Sequence, residues 1–187
     1  MIFKNLVMLC RAHKRILLYG GPDGTQWIGE GNAIYPLHGM PPMDRTALPV
    51  VFDVQQKDLG KYTIKHEDAL PSIFDYHDTA PEMQLQPEPI SLVLSGALLR
   101  PLRTSRGLMF YDPDYLRPLR DLQDTLEIYE RATAQGQVYF AVKSGLLLQA
   151  LILPLRVDKV RLLTLLQAME GALLEAVESE RDEEDEG

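Results

Sequence analysis

The order of apolar and polar positions divides the chain into a strand-rich body and one helical end. RILLY at 15–19 reads as a strand, GGPDG at 20–24 as a turn that tolerates positive φ, and TQWIGEG at 25–31 as the returning strand of a hairpin. NAIYPLHGMPPMD follows with Pro36, Pro41 and Pro42, and Pro49 comes soon after, so no long helix fits there. ALPVVFDV at 47–54 combines a short helical turn with a strand-like run, and KYTIKHE at 61–67 alternates as an exposed strand does. Residues 68–89 carry four prolines and no clean period. They predict a connector over 69–89, anchored by Ile73 and Phe74.

The second half is more regular. ISLVLSG at 90–96 and LMFY at 108–111 are strands, and Gly107 closes the turn between them. Asp112 stands directly before Pro113, the N-cap and first-turn pair that opens a helix. DPDYLRPLRDL then gives about two turns with Tyr115, Leu116, Leu119 and Leu122 on one side, bent or shortened by Pro118. TLEIYER at 125–131, VYFAVK at 138–143 and LLLQALILPLRV at 146–157 read as three strands in a meander. From residue 158 the period changes: Leu162, Leu166, Met169, Leu173 and Val177 recur at threes and fours, predicting an amphipathic helix over 158–177. The expected fold is α+β. It has a mixed strand module at 1–68, the connector, a second module at 90–157, the helix, and a disordered acidic tail at 178–187.

Composition sharpens this outline. The chain has 187 residues, 45% hydrophobic and 25% charged, enough to bury the core of one domain or of one built from two short modules. The net charge of −8 argues against a generally basic nucleic-acid binder. However, residues 175–187 hold eight acids against Arg181 alone, a net −7, so residues 1–174 sum to −1 and leave room for a basic face. The single cysteine, Cys10, excludes an intrachain disulfide framework and a cysteine-rich zinc site. No run approaches about 18 uncharged apolar residues, and the N-terminal charges follow the apolar run rather than precede it. The expectation is a cytoplasmic protein with neither membrane span nor signal peptide.

Several residue groups can carry chemistry. Arg100, Arg103, Arg106, Arg117 and Arg120 are grouped closely, and Lys143 and Arg156 lie farther on. They are either phosphate contacts on one face or surface charge paired with nearby carboxylates. Trp27, Tyr115 and Tyr129 either stack on bases or fill the core. His66, Asp75, His77 and Asp78 offer ligand types for a metal, with a polar loop as the plainer alternative. Around Leu153, Pro154, Leu155 and Arg156 an apolar strand is interrupted by proline. It either leaves a shallow groove for a partner peptide or fills the core. Ser95 and Ser144 lack a hydrolase elbow, and the glycines of YGGPDGTQWIGEGNA fit neither phosphate-loop spacing. No cofactor is expected.

The run GLMFYDPDYLRPLRDL, TLEIYER, VYFAVK, LLLQALILPLRV resembles the last module of the bacterial DNA polymerase sliding clamp. The matching positions are Pro113, Tyr115, Leu116 and Leu119 in the helix, and Leu153, Pro154, Leu155 and Arg156 at the end of the last strand. The resemblance covers about 90–157, and NAIYPL faintly echoes DYLRPL, as if the first half were a degenerate copy. The resemblance implies two clamp-like strand–helix–sheet modules in one domain and no catalytic residues. It also implies duplex DNA facing a helix that carries Arg117 and Arg120. By the same resemblance, a peptide of a polymerase or other partner would be held beside Leu153, Pro154, Leu155 and Arg156. A clamp subunit has three domains and this chain has length for one, so a ring would need several copies, a homo-oligomer. The leucine-rich helix and acidic tail are additions to the family pattern. The chain also resembles proteins of prophages and mobile elements, which narrows no chemistry. An interaction adaptor without DNA binding and a metal-dependent enzyme remain as alternatives.

Overall fold

The computed structural model describes residues 1–21, 24–72, 74–77, 80–94 and 96–185, with side chains described through 177. The protein is α+β. Helix α1 (Phe3–His13) leads into strands β1 (Arg15–Gly20), β2 (Gln26–Gly29) and β3 (Ala33–Pro36). A short helix α2 (Leu48–Val51), a 3-10 turn (Gln56–Lys61), β4 (Thr63–Glu67) and β5 (Met83–Leu85) follow. Strands β6 (Leu92–Leu94), β7 (Ala97–Thr104) and β8 (Gly107–Tyr111) precede a long 3-10 helix, Pro113–Thr125. The chain then forms β9 (Leu126–Ala132), β10 (Val138–Ser144), β11 (Leu147–Ile152) and helix α3 (Lys159–Asp185).

Eight strands form one sheet in the order β4-β1-β2-β3-β11-β10-β9-β5, and β6-β7-β8 form a second. Within the large sheet only β4, beside β1, pairs parallel. One pattern occurs twice, a helix followed by a three-stranded meander: α1 with β1–β2–β3, and the 113–125 helix with β9–β10–β11. The third strands of the two meanders, β3 and β11, pair antiparallel, Leu151 opposite Ile34, so the repeats meet as across a two-fold axis. Both helices lie on one face of the sheet. Leu6, Leu9 and Cys10 of α1 and Tyr115 and Leu119 of the 113–125 helix share one core with Ile16, Leu18, Tyr35, Phe140 and Ile152. Alternation in β1 sends Leu17 and Tyr19 to the opposite face, where they pack with Trp27, Ile34, Leu70, Tyr139 and Leu151. Each fully buried aliphatic side chain is worth roughly 1.5–3 kcal/mol, so burial on both faces accounts for the near-continuous apolar reading of β10 and β11.

Several expectations shift. Phe3–His13 is a helix that the strand-and-turn reading did not assign. NAIYPL does not echo the second-half helix in space: it holds β3, and α1 is the counterpart of the 113–125 helix. ALLRPLRT is an eight-residue strand, with Gly96 and Gly107 taking positive φ at its two ends. The 113–125 helix is a 13-residue 3-10 helix rather than two α-turns, because Pro118 supplies no N–H for the α-helical ladder. The last strand ends at Ile152, five residues early, since Pro154 cannot donate and Leu155 leaves to pair with Phe110 of β8. The 69–89 connector contains β5 and is bound into the sheet. The two halves share that sheet, so Met1–Leu155 is one compact unit, and Arg156–Gly187 is a second. In the second unit the helical backbone runs on to Asp185, through acidic residues expected to be disordered, as glutamate and arginine are good helix formers.

Candidate functional site

The paired helices and the cleft beside them hold three of the five arginines singled out above. Asp112 caps the 113–125 helix, its Oδ1 accepting from the Asp114 N–H at 2.8 Å. Tyr115, Pro118 and Leu119 turn inward, which leaves Arg117 and Arg120 exposed. The start of α1 docks on the 113–125 helix. Ile2 N–H donates to Pro118 O at 2.6 Å, Asn5 Nδ2 donates to Arg117 O at 2.9 Å, and the Met1 amino group pairs with Asp121 at 2.8 Å. Lys4 and Arg11 are exposed on α1, which carries no acid. Arg11 reaches Asp53 at 3.0 Å and Arg117 reaches Asp114 at 2.9 Å, both in solvent. Exposed pairs of this kind contribute about 0–1 kcal/mol, so an incoming phosphate can replace either carboxylate cheaply.

A cleft of about 420 Å³ opens between the 113–125 helix, β5, β9 and the β7–β8 hairpin. Arg100, Arg117 and Arg120 line it above an apolar floor of Leu85, Leu116, Leu126 and Ile128. Among the described residues the acid lining it is Glu127, whose oxygens accept from Gln84 Nε2 at 3.0 Å and Tyr129 OH at 2.9 Å. Burial pushes the Tyr111 phenol above its usual value, and the positive charge of Arg100 beside it offsets part of that rise. Among the described residues neither Arg100 nor Arg120 has a carboxylate partner.

The other predicted positions lie elsewhere. Arg103 is paired with Glu88 at 2.9 Å, and Arg106 lies against the Gly136 turn. Lys143 is no phosphate contact: it is buried, donating to Glu82 at 2.8 Å, with its ammonium over the Tyr129 ring. Trp27 and Tyr115 are buried in the core and present no face to a base. Leu153 donates to Asn32 O and Leu155 to Phe110 O, both at 2.7 Å, and neither is among the residues lining the arginine cleft. Pro154 is half-buried between them, and Arg156, exposed, begins the second unit. His66 is exposed on β4, and Asp75 Oδ1 accepts from the His77 N–H at 3.0 Å. Asp78, Ile73 and Ser95 lie outside the described residues. Among the described residues no three of His, Cys, Asp and Glu gather to hold a metal.

Two polar clusters escaped the sequence reading. On the sheet face away from the helices, Arg131 is 1% exposed and donates to Glu82 at 2.6 and 2.8 Å, and to the carbonyls of Asp75 and His77 at 2.9 Å. Period-two counting places Arg131 opposite Tyr139 on that face, but nothing in the sequence pairs it with Glu82 in the connector. Near α1, Glu30 is 1% exposed and its Oε1 accepts from the N–H groups of Asn32 and Ala33. Its Oε2 faces His13 Nδ1 at 3.7 Å. Burial, reinforced by Glu30, raises the Cys10 thiol to about 12 and the Tyr115 phenol to about 12. Cys10 is buried in the core and its thiol stays protonated at neutral pH.

No helix of the described residues is long and apolar enough to cross a membrane. Comparison with protein-family models, curated proteins and solved structures finds no match to this chain.

Proposed function

We propose that this chain is a non-enzymatic, DNA-associated accessory protein of sliding-clamp type, acting in the cytoplasm as an oligomer. The repeat carries the reading: two helix-plus-meander units joined through β3 and β11, with both helices on one sheet face. The resemblance in 90–157 implies a second unit of the same kind in the first half, and α1 with β1–β2–β3 fits that place. Lys4, Arg11, Arg117 and Arg120 form the surface offered to the duplex phosphates, with Arg100 beside them in the cleft. A single copy presents only one pair of helices, so encirclement would need several.

Anisotropy of a labelled duplex, titrated with the protein at several salt concentrations, tests the reading. Each phosphate contact adds about 0.9 to the slope of log affinity against log salt, so Arg117→Ala/Arg120→Ala is expected to flatten that slope by about 2. Absence of duplex binding at low salt removes the DNA reading. A second reading, an interaction adaptor that ignores DNA, is favoured by the cleft. Arg100 and Arg120, without a carboxylate partner among the described residues, above an apolar floor suit a peptide with acidic and apolar side chains. It predicts that Arg100→Ala and Leu116→Ala weaken such a peptide while the duplex assay stays blank.

A further inference from the structure

We propose that α3 is a self-association element that pairs antiparallel with α3 of a second copy of this chain. Its seam, Leu162, Leu166, Met169, Leu173 and Val177, is spaced four, three, four and four. The four steps cover 15 residues, close to four turns of 3.6, so the five side chains keep to one face of the helix. All of the seam except Leu162 is exposed, Met169 by 60% and Leu173 by 62%, and Leu163 and Leu174 beside it are exposed too. The polar line is narrow: Thr164, Gln167, Gly171 and Glu175, with Glu170 outside the seam. A continuous apolar stripe this wide on a helix indicates a partner.

The charges at the two ends of the helix identify the partner and its direction. Arg156, Lys159 and Arg161 stand at the start against Asp158, whose Oδ1 caps the helix by accepting from the Arg161 N–H at 3.0 Å. The other end carries eight acids against Arg181 over 175–187. Residues 160–177 span about 27 Å of helix, several times the Debye length of about 8 Å at physiological salt. Each end therefore feels only what lies beside it. A parallel pair sets −7 against −7 at one end. An antiparallel pair lays each acidic end along the partner's basic start while the leucine seams still meet. The second copy is thus the one occupant whose apolar stripe and end charges are both complementary to α3, and the inference is independent of the DNA reading.

Sedimentation equilibrium of the full chain, at low and high sodium chloride, tests this. The expected result is a dimer whose Kd rises with salt, because end-to-end attraction is screened. Met169→Glu and Leu173→Glu each raise Kd by about tenfold or more, since each buries an unpaired carboxylate in the seam. Gln167→Glu on the polar line leaves Kd unchanged. Glutamate is a good helix former, so far-UV circular dichroism of the variants stays at the parent value and separates lost pairing from lost helix. A chain that is monomeric at every concentration, or a dimer indifferent to both seam substitutions, overturns the proposal. A dimer that tightens with salt overturns the antiparallel arrangement.

Discussion

Glu82→Ala tests the physical account of the body most severely. Glu82 sits between two buried cations, Arg131 at 1% and Lys143 at 7% side-chain exposure, and is itself 14% exposed. Its two oxygens accept three hydrogen bonds of 2.6–2.8 Å. Alanine removes all three and leaves the buried Arg131 charge without its carboxylate partner. The Arg131 guanidinium keeps only the Asp75 and His77 carbonyls. Stranding a buried charge costs about 3–5 kcal/mol, against about 0–1 kcal/mol for an exposed pair such as Arg11–Asp53. For a chain of this size each kcal/mol moves Tm by about 2–4 °C, so the expected drop is roughly 6–20 °C. Thermal unfolding followed by circular dichroism measures it, with Arg11→Ala as the surface control. Glu82 also holds the connector, so proteolysis within 68–89 should accelerate in parallel. Replacing Glu82, Arg131 and Lys143 together by leucine or methionine should recover most of the loss, because no charge is then left unpaired. A Tm within about 2 °C of the parent for Glu82→Ala would refute the claim that this cluster adds to the β5–β9 pairing in holding the connector to the sheet.

Two further outcomes follow from the same geometry. The folded state raises Cys10 from 9.0 to about 12 and Tyr115 from 10.0 to about 12, so it retains protons that the unfolded chain releases. Stability is then full below about pH 9 and declines as pH rises toward 12. Urea unfolding at a series of pH values should show that decline, made shallower by Cys10→Ala/Tyr115→Phe. In the same samples the thiol should react with a disulfide reagent only after unfolding. Gly29 permits the close β2–β3 approach: a Cβ there would lie 1.9 Å from the Ala33 carbonyl oxygen, a backbone atom that cannot swing away. Gly29→Ala should therefore cost about 1–3 kcal/mol, read as a shift of the urea midpoint at unchanged m.

How much the sequence revealed depended on where each signal resides. Asp112 and Pro113 announce the start of a helix because capping is a contact between near neighbours, and the structure shows that cap. The meander of β9, β10 and β11 was readable because turns and alternation are local too. Helix α1 was overlooked although Leu6, Leu9 and Cys10 are spaced three and one apart on its buried face, since eleven residues give few repeats of any period. The arginine cluster shows the limit most clearly. Arg100, Arg103, Arg106, Arg117 and Arg120 are close in number, but strand alternation and the turn at Gly107 distribute them, and only Arg100, Arg117 and Arg120 share a cleft.

The sequence by itself determined the α+β class, the element order from Asp112 onward, the apolar spacing of α3 and the separation of a near-neutral body from an acidic end. Each of these is written in local spacing or in composition. Only the tertiary structure decided that β3 and β11 join the two halves into one sheet, that the helices lie on one face, and that Glu82 meets Arg131 and Lys143. Those pairings link residues separated by 49 positions or more along the chain. Such contacts are selected by burial and by the high free-energy cost of an unpaired buried charge, neither of which leaves a period in the sequence.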